Sequence, residues 1–313
     1  MFRIVPPFAP ALVPLGMLLA CSDQGFGTRA STDTFVQPDN HIAADVLFVV
    51  DNSASMGEEQ VRLAENFLAF VDVLASTVAD YQLGVVTTDV SDGSAGVLRG
   101  GVMTPDMANL ADVFRAAVLA GTSGSRDEQG FAAGVLAADP ARNPGFLRTG
   151  ARFNLVFISD EDDQSPGDVA DYLALYGESA GEPGFAAHAL VGDLPQGCAS
   201  GALAASPGPR YLDAAEGSAG FVESICAENY SGLLTRVGLD VSGWEDTFPL
   251  SRLPSVDTLE VRVNDVLIPE RELDGWQYSV GDNAIVFSGR AIPRPGMGIE
   301  VVYTAWNGAG TSQ

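Results

Sequence analysis

Lysine is missing from this 313-residue chain: all sixteen basic residues are arginine, set against forty-one Asp and Glu, for a net charge of −25. A surface of that sign repels polyphosphates and anionic headgroups, which excludes nucleic acid and anionic membranes as partners. Histidine is nearly missing as well, with only His41 and His188. His188 falls inside an apolar run, where a core histidine is expected, and His41 sits in a polar stretch. No GxSxG elbow, HExxH helix or Walker loop occurs, and the serines lack a plausible base. The reading is therefore not an enzyme; a metal-dependent hydrolase would need a second ion or a clear general base. Three cysteines are too few for a disulfide framework, and no third soft ligand lies near Cys198 or Cys226. Long apolar runs are also scarce. The one near the start, residues 4–20, is broken by Pro6, Pro7, Pro10 and Pro14 and is short for a membrane span.

With Arg3 ahead of it, that run reads as an export signal over residues 1–20. It ends Leu18-Leu19-Ala20-Cys21, which resembles a bacterial lipobox. The resemblance implies that Cys21 is acylated and becomes the mature amino terminus, and Ser22 in place of Asp gives no signal for inner-membrane retention. The expected location is the cell envelope, lipid-anchored in the outer membrane and facing periplasm or surface, with membrane contact only through the anchor. In an exporting context Cys198 and Cys226 are left as a pair, and a disulfide between them is the default. Residues 21–40 are polar and rich in Gly, Ser, Thr and Gln, and read as a flexible tether.

After Asp45, residues 46–50 form an unbroken apolar run, as expected of a central strand buried on both faces. It stops at Asp51, and oxygen-bearing side chains then alternate: Asp51, Ser53, Ser55. Gly57 and two glutamates lead into a helical spacing. An oxygen cluster between a strand and a helix lies at the carboxyl edge of a sheet, where open α/β folds bind ligands. One carboxylate and two hydroxyls suit a hard divalent ion such as Mg²⁺. The pattern resembles the von Willebrand factor type A domain and its metal-ion-dependent adhesion site, DxSxS. A second segment, FNLVFISDEDD at residues 153–163, repeats the buried-strand run and ends in Ser159-Asp160; Asp160 maps to the family's far metal-side aspartate.

The rest of the chain alternates in a way that supports a doubly wound, mostly parallel α/β fold over residues 41–243. Helical spacing covers residues 58–78, 106–119, 128–138, 168–176, 210–215 and 228–237. Strands are expected at 81–87 and 185–191, with short ones near 97–102 and 220–221. Beyond residue 243 the period drops to two: Leu259, Val261 and Val263, then Trp276, Tyr278 and Val280, then Ile299, Val301 and Tyr303. Residues 251–313 thus read as a small all-β domain of sandwich type, with Trp276 and Tyr278 in its core.

The resemblance implies that Ser53 and Ser55 contact Mg²⁺ directly, with Mn²⁺ or Ca²⁺ as alternatives. Asp51, Asp160 and a loop hydroxyl would contribute directly or through water. That hydroxyl is Thr122 by residue type or Ser125 by counting back from the next helix, and Asp127 or Glu128 could replace it with a carboxylate. One coordination position would be left for a carboxylate of a protein partner, so that the ion bridges two proteins. A rival reading takes Asp160, Asp162, Gln164, Asp168 and Asp171 as a calcium loop, but Ser165 stands where glycine is required. A structural or envelope-assembly lipoprotein, with a metal site that only stabilises the fold, is the other reading.

Overall fold

The computed structural model describes residues 28–38, 43–77, 80–201, 203–218, 220–272 and 274–306. The signal segment, Cys21 and His41 lie outside the described residues. No described helix is long and apolar enough to cross a membrane.

The chain begins with β1 (Thr28–Val36), and β2 (Ala44–Val50) follows, buried at every position. Helix α1 (Gly57–Thr77) leads to β3 (Tyr81–Thr87), then α2 (Leu110–Val118) and α3 (Gly130–Ala138). Next come β4 (Arg152–Ile158), α4 (Val169–Ala180) and β5 (Phe185–Val191). A small hairpin, β6 (Cys198–Ser200) and β7 (Leu203–Ala205), precedes α5 (Pro209–Gly217), β8 (Val222–Ser224) and α6 (Ser231–Ser242). The last strands are β9 (Thr247–Pro249), β10 (Glu260–Val263), β11 (Val266–Ile268), β12 (Trp276–Ser279), β13 (Ala284–Phe287) and β14 (Gly298–Trp306).

Five strands pair in parallel in the order β3-β2-β4-β5-β8. Successive side chains of β2 point to opposite faces. Val46, Phe48 and Val50 pack with Phe67, Phe70 and Phe114 under α1, α2 and α6. Leu47 and Val49 pack with Phe131, Phe157, Tyr176 and Tyr211 under α3, α4 and α5. This is the doubly wound α/β fold that the alternation of strands and helices implied. Chain order reverses at β2, whose neighbours β3 and β4 are reached in opposite directions. The carboxyl ends of β2 and β4 therefore flank a topological switch point, where such sheets open a crevice.

The antiparallel part is two sheets, β1-β14-β10-β11 and β12-β13-β9, with Val261, Ile299, Val301, Tyr303, Trp276, Ile285 and Phe287 in one core between them. One of its strands corrects the tether reading of residues 21–40. Residues 28–36 form β1, which pairs along its whole length with β14, from Thr28 opposite Trp306 to Val36 opposite Gly298. An edge strand keeps one face in water, so Thr32 and Thr34 on that face gave the segment a tether's composition. Its other face is anchored: Phe35 packs on Phe248, and the Asp33 carboxylate accepts hydrogen bonds from Ser251 and Tyr303. The parallel-sheet unit thus sits in the sequence between β1 and the remaining strands of the antiparallel unit. Gln37, fully buried, clamps the junction by donating to the carbonyls of Glu245 and Pro293 and accepting from the Glu245 amide.

Residues 97–102 also differ from expectation. They form turns with Gly100 and Gly101 at φ of 77° and 76°, and only Met103 bridges to Leu83. Left-handed backbone at two successive glycines ends any ladder.

Cys198 and Cys226 are joined by a disulfide, as their pairing in an exported chain implied. It closes a loop of sequence separation 28 between the hairpin and the start of α6. Replacing both cysteines by serine is expected to lower stability by about 3 kcal/mol through added unfolded-state entropy. Urea unfolding measures this, and an unchanged midpoint would contradict the assignment.

Candidate metal centre

Strand pairing runs directly into the crevice. The amide of Asp51 donates to the Ile158 carbonyl at 2.9 Å, that of Thr88 to Val50 at 3.2 Å, and that of Ser159 to Leu190 at 3.2 Å. The ends of β3, β2, β4 and β5 are thereby held in one register. Asp51 is fully buried, and both of its oxygens are engaged. Oδ1 accepts the Ser53 amide at 2.7 Å, which forms the turn into α1. Oδ2 accepts the Ser159 hydroxyl at 2.7 Å across 108 residues of sequence. Ser53 Oγ and Ser55 Oγ are 3.2 Å apart, with Ser53 buried and Ser55 exposed.

Asp160 comes to the same place. It is 4 % exposed, its carboxylate is hydrogen-bonded by Ser55, and its Oδ1 has no partner. Burial and the charges of Asp51, Glu59 and Glu161 push its pKa up to about 6 against the Ser55 hydrogen bond. The four residues of the two motifs, Asp51, Ser53, Ser55 and Asp160, are thus brought together at the switch point.

The loop is where the two hydroxyl candidates part. Gln60, buried on α1, donates to the carbonyls of Asp51 and Gly121, both at 2.9 Å, and accepts the Gly121 amide. The Gly124 amide donates to the Asn52 carbonyl, and a Cβ on Gly124 would lie 2.5 Å from the Asn52 side chain, which would have to move aside. Thr122 is exposed beside the start of α1, its methyl 3.6 Å from where a Cβ on Gly57 would be. Ser125 lies elsewhere: its amide donates to Asp89 and its hydroxyl accepts the Asp127 amide. The loop group that faces Asp51 is Glu128, 1 % exposed, with Oε2 accepting the Thr88 hydroxyl and Oε1 unpartnered. Burial first, then the Asp51 charge, pushes its pKa up to about 8.

Among the described residues no arginine pairs with Asp51, Glu128 or Asp160. Glu59 adds a fourth nearby buried carboxyl, raised by burial and by the charges of Glu58 and Asp51. Yet among the described residues no three His, Cys, Asp or Glu side chains are grouped to hold an ion by themselves. An ion here would depend on hydroxyls as well as carboxylates. Unpartnered buried carboxylate oxygens beside two converging hydroxyls fit a hard divalent cation.

Its acidic neighbours have other duties. Asp163 accepts the amides of Phe131 and Ser165, the Ser165 hydroxyl and Arg210 Nε, while Asp162 accepts the Arg210 amide. These contacts tie the loop after β4 to α3 and α5, which leaves little of a calcium loop. His188 is fully buried against Phe221, its Nε2 3.3 Å from Asp240 Oδ2. Sequence reasoning missed Gln60, Thr88, Glu59 and the role of Ser159; only Ser159, adjacent to Asp160 after a strand, carried a readable signal.

No family model and no curated protein matches this chain. Among solved structures it is similar to the pilus adhesin SpaC from Lactobacillus rhamnosus GG in its open conformation, at 11 % identity and TM-score 0.48. That match covers 90 % of this chain and 41 % of the adhesin. It is also similar to a von Willebrand factor type A protein from Catenulispora acidiphila, at 13 % identity and TM-score 0.42, covering 92 % and 67 % of the two chains. Proximal thread matrix protein 1 from the mussel byssus matches at 10 % identity and TM-score 0.41, over 70 % and 51 %. This chain spans about two-fifths of the adhesin and half of the byssus protein. At such identities and scores none of them lends a ligand or an activity.

Replacing Gln60 by Ala removes three hydrogen bonds, one buried and two partly buried, that join α1, the end of β2 and the loop. A loss of about 2–3 kcal/mol is expected, measured by urea unfolding. A loss below about 0.5 kcal/mol would show that the loop is held by other contacts.

Proposed function

We propose that this is an exported protein of type A architecture that binds a protein ligand through a divalent cation, Mg²⁺ foremost, bridged to a carboxylate of the partner. The observation that carries the reading is the meeting of Ser53, Ser55 and the unpartnered oxygen of Asp160 at one rim of the switch-point crevice. Ser53 and Ser55 would hold the ion directly. Asp51, tied to Ser53 and Ser159, would fix the turn that aims them, and Asp160 would supply charge. Of the two loop hydroxyls, Thr122 beside the start of α1 would be the one to join them, since Ser125 is engaged with Asp89 and Asp127, while Glu128 faces Asp51 from the interior. Hydroxyls neutralise little of the ion's charge, which leaves it attractive to an outside carboxylate. The bound ion would also supply the countercharge that these carboxylates lack. In the cell the chain would be held in the envelope by acylated Cys21, its antiparallel unit serving as spacer or second contact.

Glu128 favours a second reading. Its unpartnered Oε1 adds a carboxylate close to Asp51, and a site with more protein charge holds an ion without help from a partner. In that case the ion would stabilise an envelope-assembly protein and bridge nothing.

Chelation separates the two. Wild-type chain immobilised on resin should retain an envelope protein in Mg²⁺ and release it in EDTA, and Asp51→Ala should retain none while its circular dichroism is unchanged. Retention insensitive to EDTA and to Asp51→Ala contradicts bridging. Calorimetry is expected to show Mg²⁺ binding to wild type and none to Asp51→Ala; equal affinities would remove Asp51 from the site. Asp160→Asn should raise the unfolding free energy in EDTA by roughly 1 kcal/mol, because it removes a buried charge that has no cationic partner, as measured by urea unfolding. The same variant should gain less from Mg²⁺ than wild type; an equal gain would place the ion elsewhere.

A further inference from the structure

We propose that the end of the antiparallel unit where β1 begins is a lipid-facing surface, seated on the interface of a neutral bilayer when the chain is held there through Cys21. This rests on the lipid-anchor part of the proposed function. Strand register builds the surface. Thr28 lies opposite Trp306, and on the other side of β14 the Leu253 carbonyl accepts the Trp306 amide at 3.0 Å while Pro254 bridges to Ala305. Residues opposite one another across a ladder share a face, so Leu253 and Trp306 stand side by side. Ala305, the next residue back, is fully buried, which turns Trp306 outward. Val256 follows Leu253 in a short 3-10 turn. Leu253, Trp306 and Val256 are 62 %, 50 % and 43 % exposed.

The middle of that outward face is mostly polar, with Thr32 and Thr34 on β1, Glu300 and Thr304 on β14, and the Arg262–Glu260 pair on β10, and its far end exposes Val36 and Leu267. Both ends of the sheet thus expose apolar side chains, but only the end beside Thr28 carries an exposed tryptophan among the described residues and lies next to the tether. Charge is balanced there too, since Arg29 and Arg252 offset Asp33 and Asp257 in a chain of net charge −25. Trp beside aliphatic side chains on a near-neutral rim is the chemistry of a membrane interface.

Reach selects the bilayer as occupant. Cys21 precedes Thr28 by seven residues, which span at most about 25 Å when fully extended. A chain of this length folds to a radius of gyration of about 20 Å. An acylated Cys21 therefore holds the Thr28–Trp306 end toward the lipid and leaves no length for the tether to wrap around the protein.

The test uses the chain from Cys21 onward, whose one free thiol is Cys21 because Cys198 and Cys226 are paired. It is coupled to maleimide-bearing phosphatidylethanolamine in phosphatidylcholine vesicles, with or without bromine on the lipid acyl chains. Brominated lipid should quench part of the tryptophan emission. Trp306→Phe should abolish the quenching, since Trp276 is buried and Trp244 half-buried, and Leu253→Ser with Val256→Ser should at least halve it. Equal emission in plain and brominated vesicles overturns the proposal, as does quenching that persists in Trp306→Phe. Coupling bypasses cellular acylation, so the anchor is tested separately by palmitate labelling of wild type and Cys21→Ser in cells. Label in neither would sink the anchor and leave the quenching result standing on its own.

Discussion

Buried carboxyl groups without a cationic partner at the switch point of the parallel sheet are the constraint on which the rest turns. Asp51, Glu128 and Asp160 are each nearly or fully buried, and among the described residues none has an arginine to pair with. Elsewhere the chain does pair its buried carboxylates. Asp45, 1 % exposed, accepts Arg148 through both backbone and side chain, and Asp163 accepts Arg210. Desolvating a carboxylate without a partner is costly. The contrast is what the proposed cation would resolve.

The fold holds these groups in place from three directions. Parallel pairing of β2 with β3 and β4 sets where the strand ends lie, and the two aromatic-rich cores fix the sheet between its helix layers. Gln60 joins α1 to the loop that approaches from the other side. The antiparallel unit then grips the base: Leu239 of α6 and half-buried Val73 of α1 pack into the same cluster as Phe248 and Ile292. Since β1 precedes the parallel unit and β9 to β14 follow it, the parallel unit enters and leaves through one antiparallel unit, with buried Gln37 at the junction. The candidate centre and the proposed lipid-facing rim are thus set on two units joined by packing as well as by chain.

What the sequence made legible follows from periodicity. Strands buried on both faces write continuous apolar runs, so β2, β3, β4 and β5 were placed to within a residue or two. The convergence of Asp51 with Asp160 was legible for the same reason, because each follows such a run. The edge strand β1 was not, since alternating Thr and half-buried Phe35 look like a polar linker when the partner β14 lies about 270 residues away. Nor could the loop be resolved. Thr122, Ser125 and Glu128 differ in where the backbone carries them, and that is decided by Gln60, Thr88 and the Gly124–Asn52 approach, none of which leaves a spacing to read.

An anomalous-scattering map from crystals grown with Mn²⁺ tests the central claim most directly, because it locates the ion rather than its consequences. The account predicts a peak within about 2.0–2.6 Å of Ser53 Oγ and Ser55 Oγ, with Asp160 beside it. A peak on Asp162 and Asp163, or none at the end of β2, would contradict it.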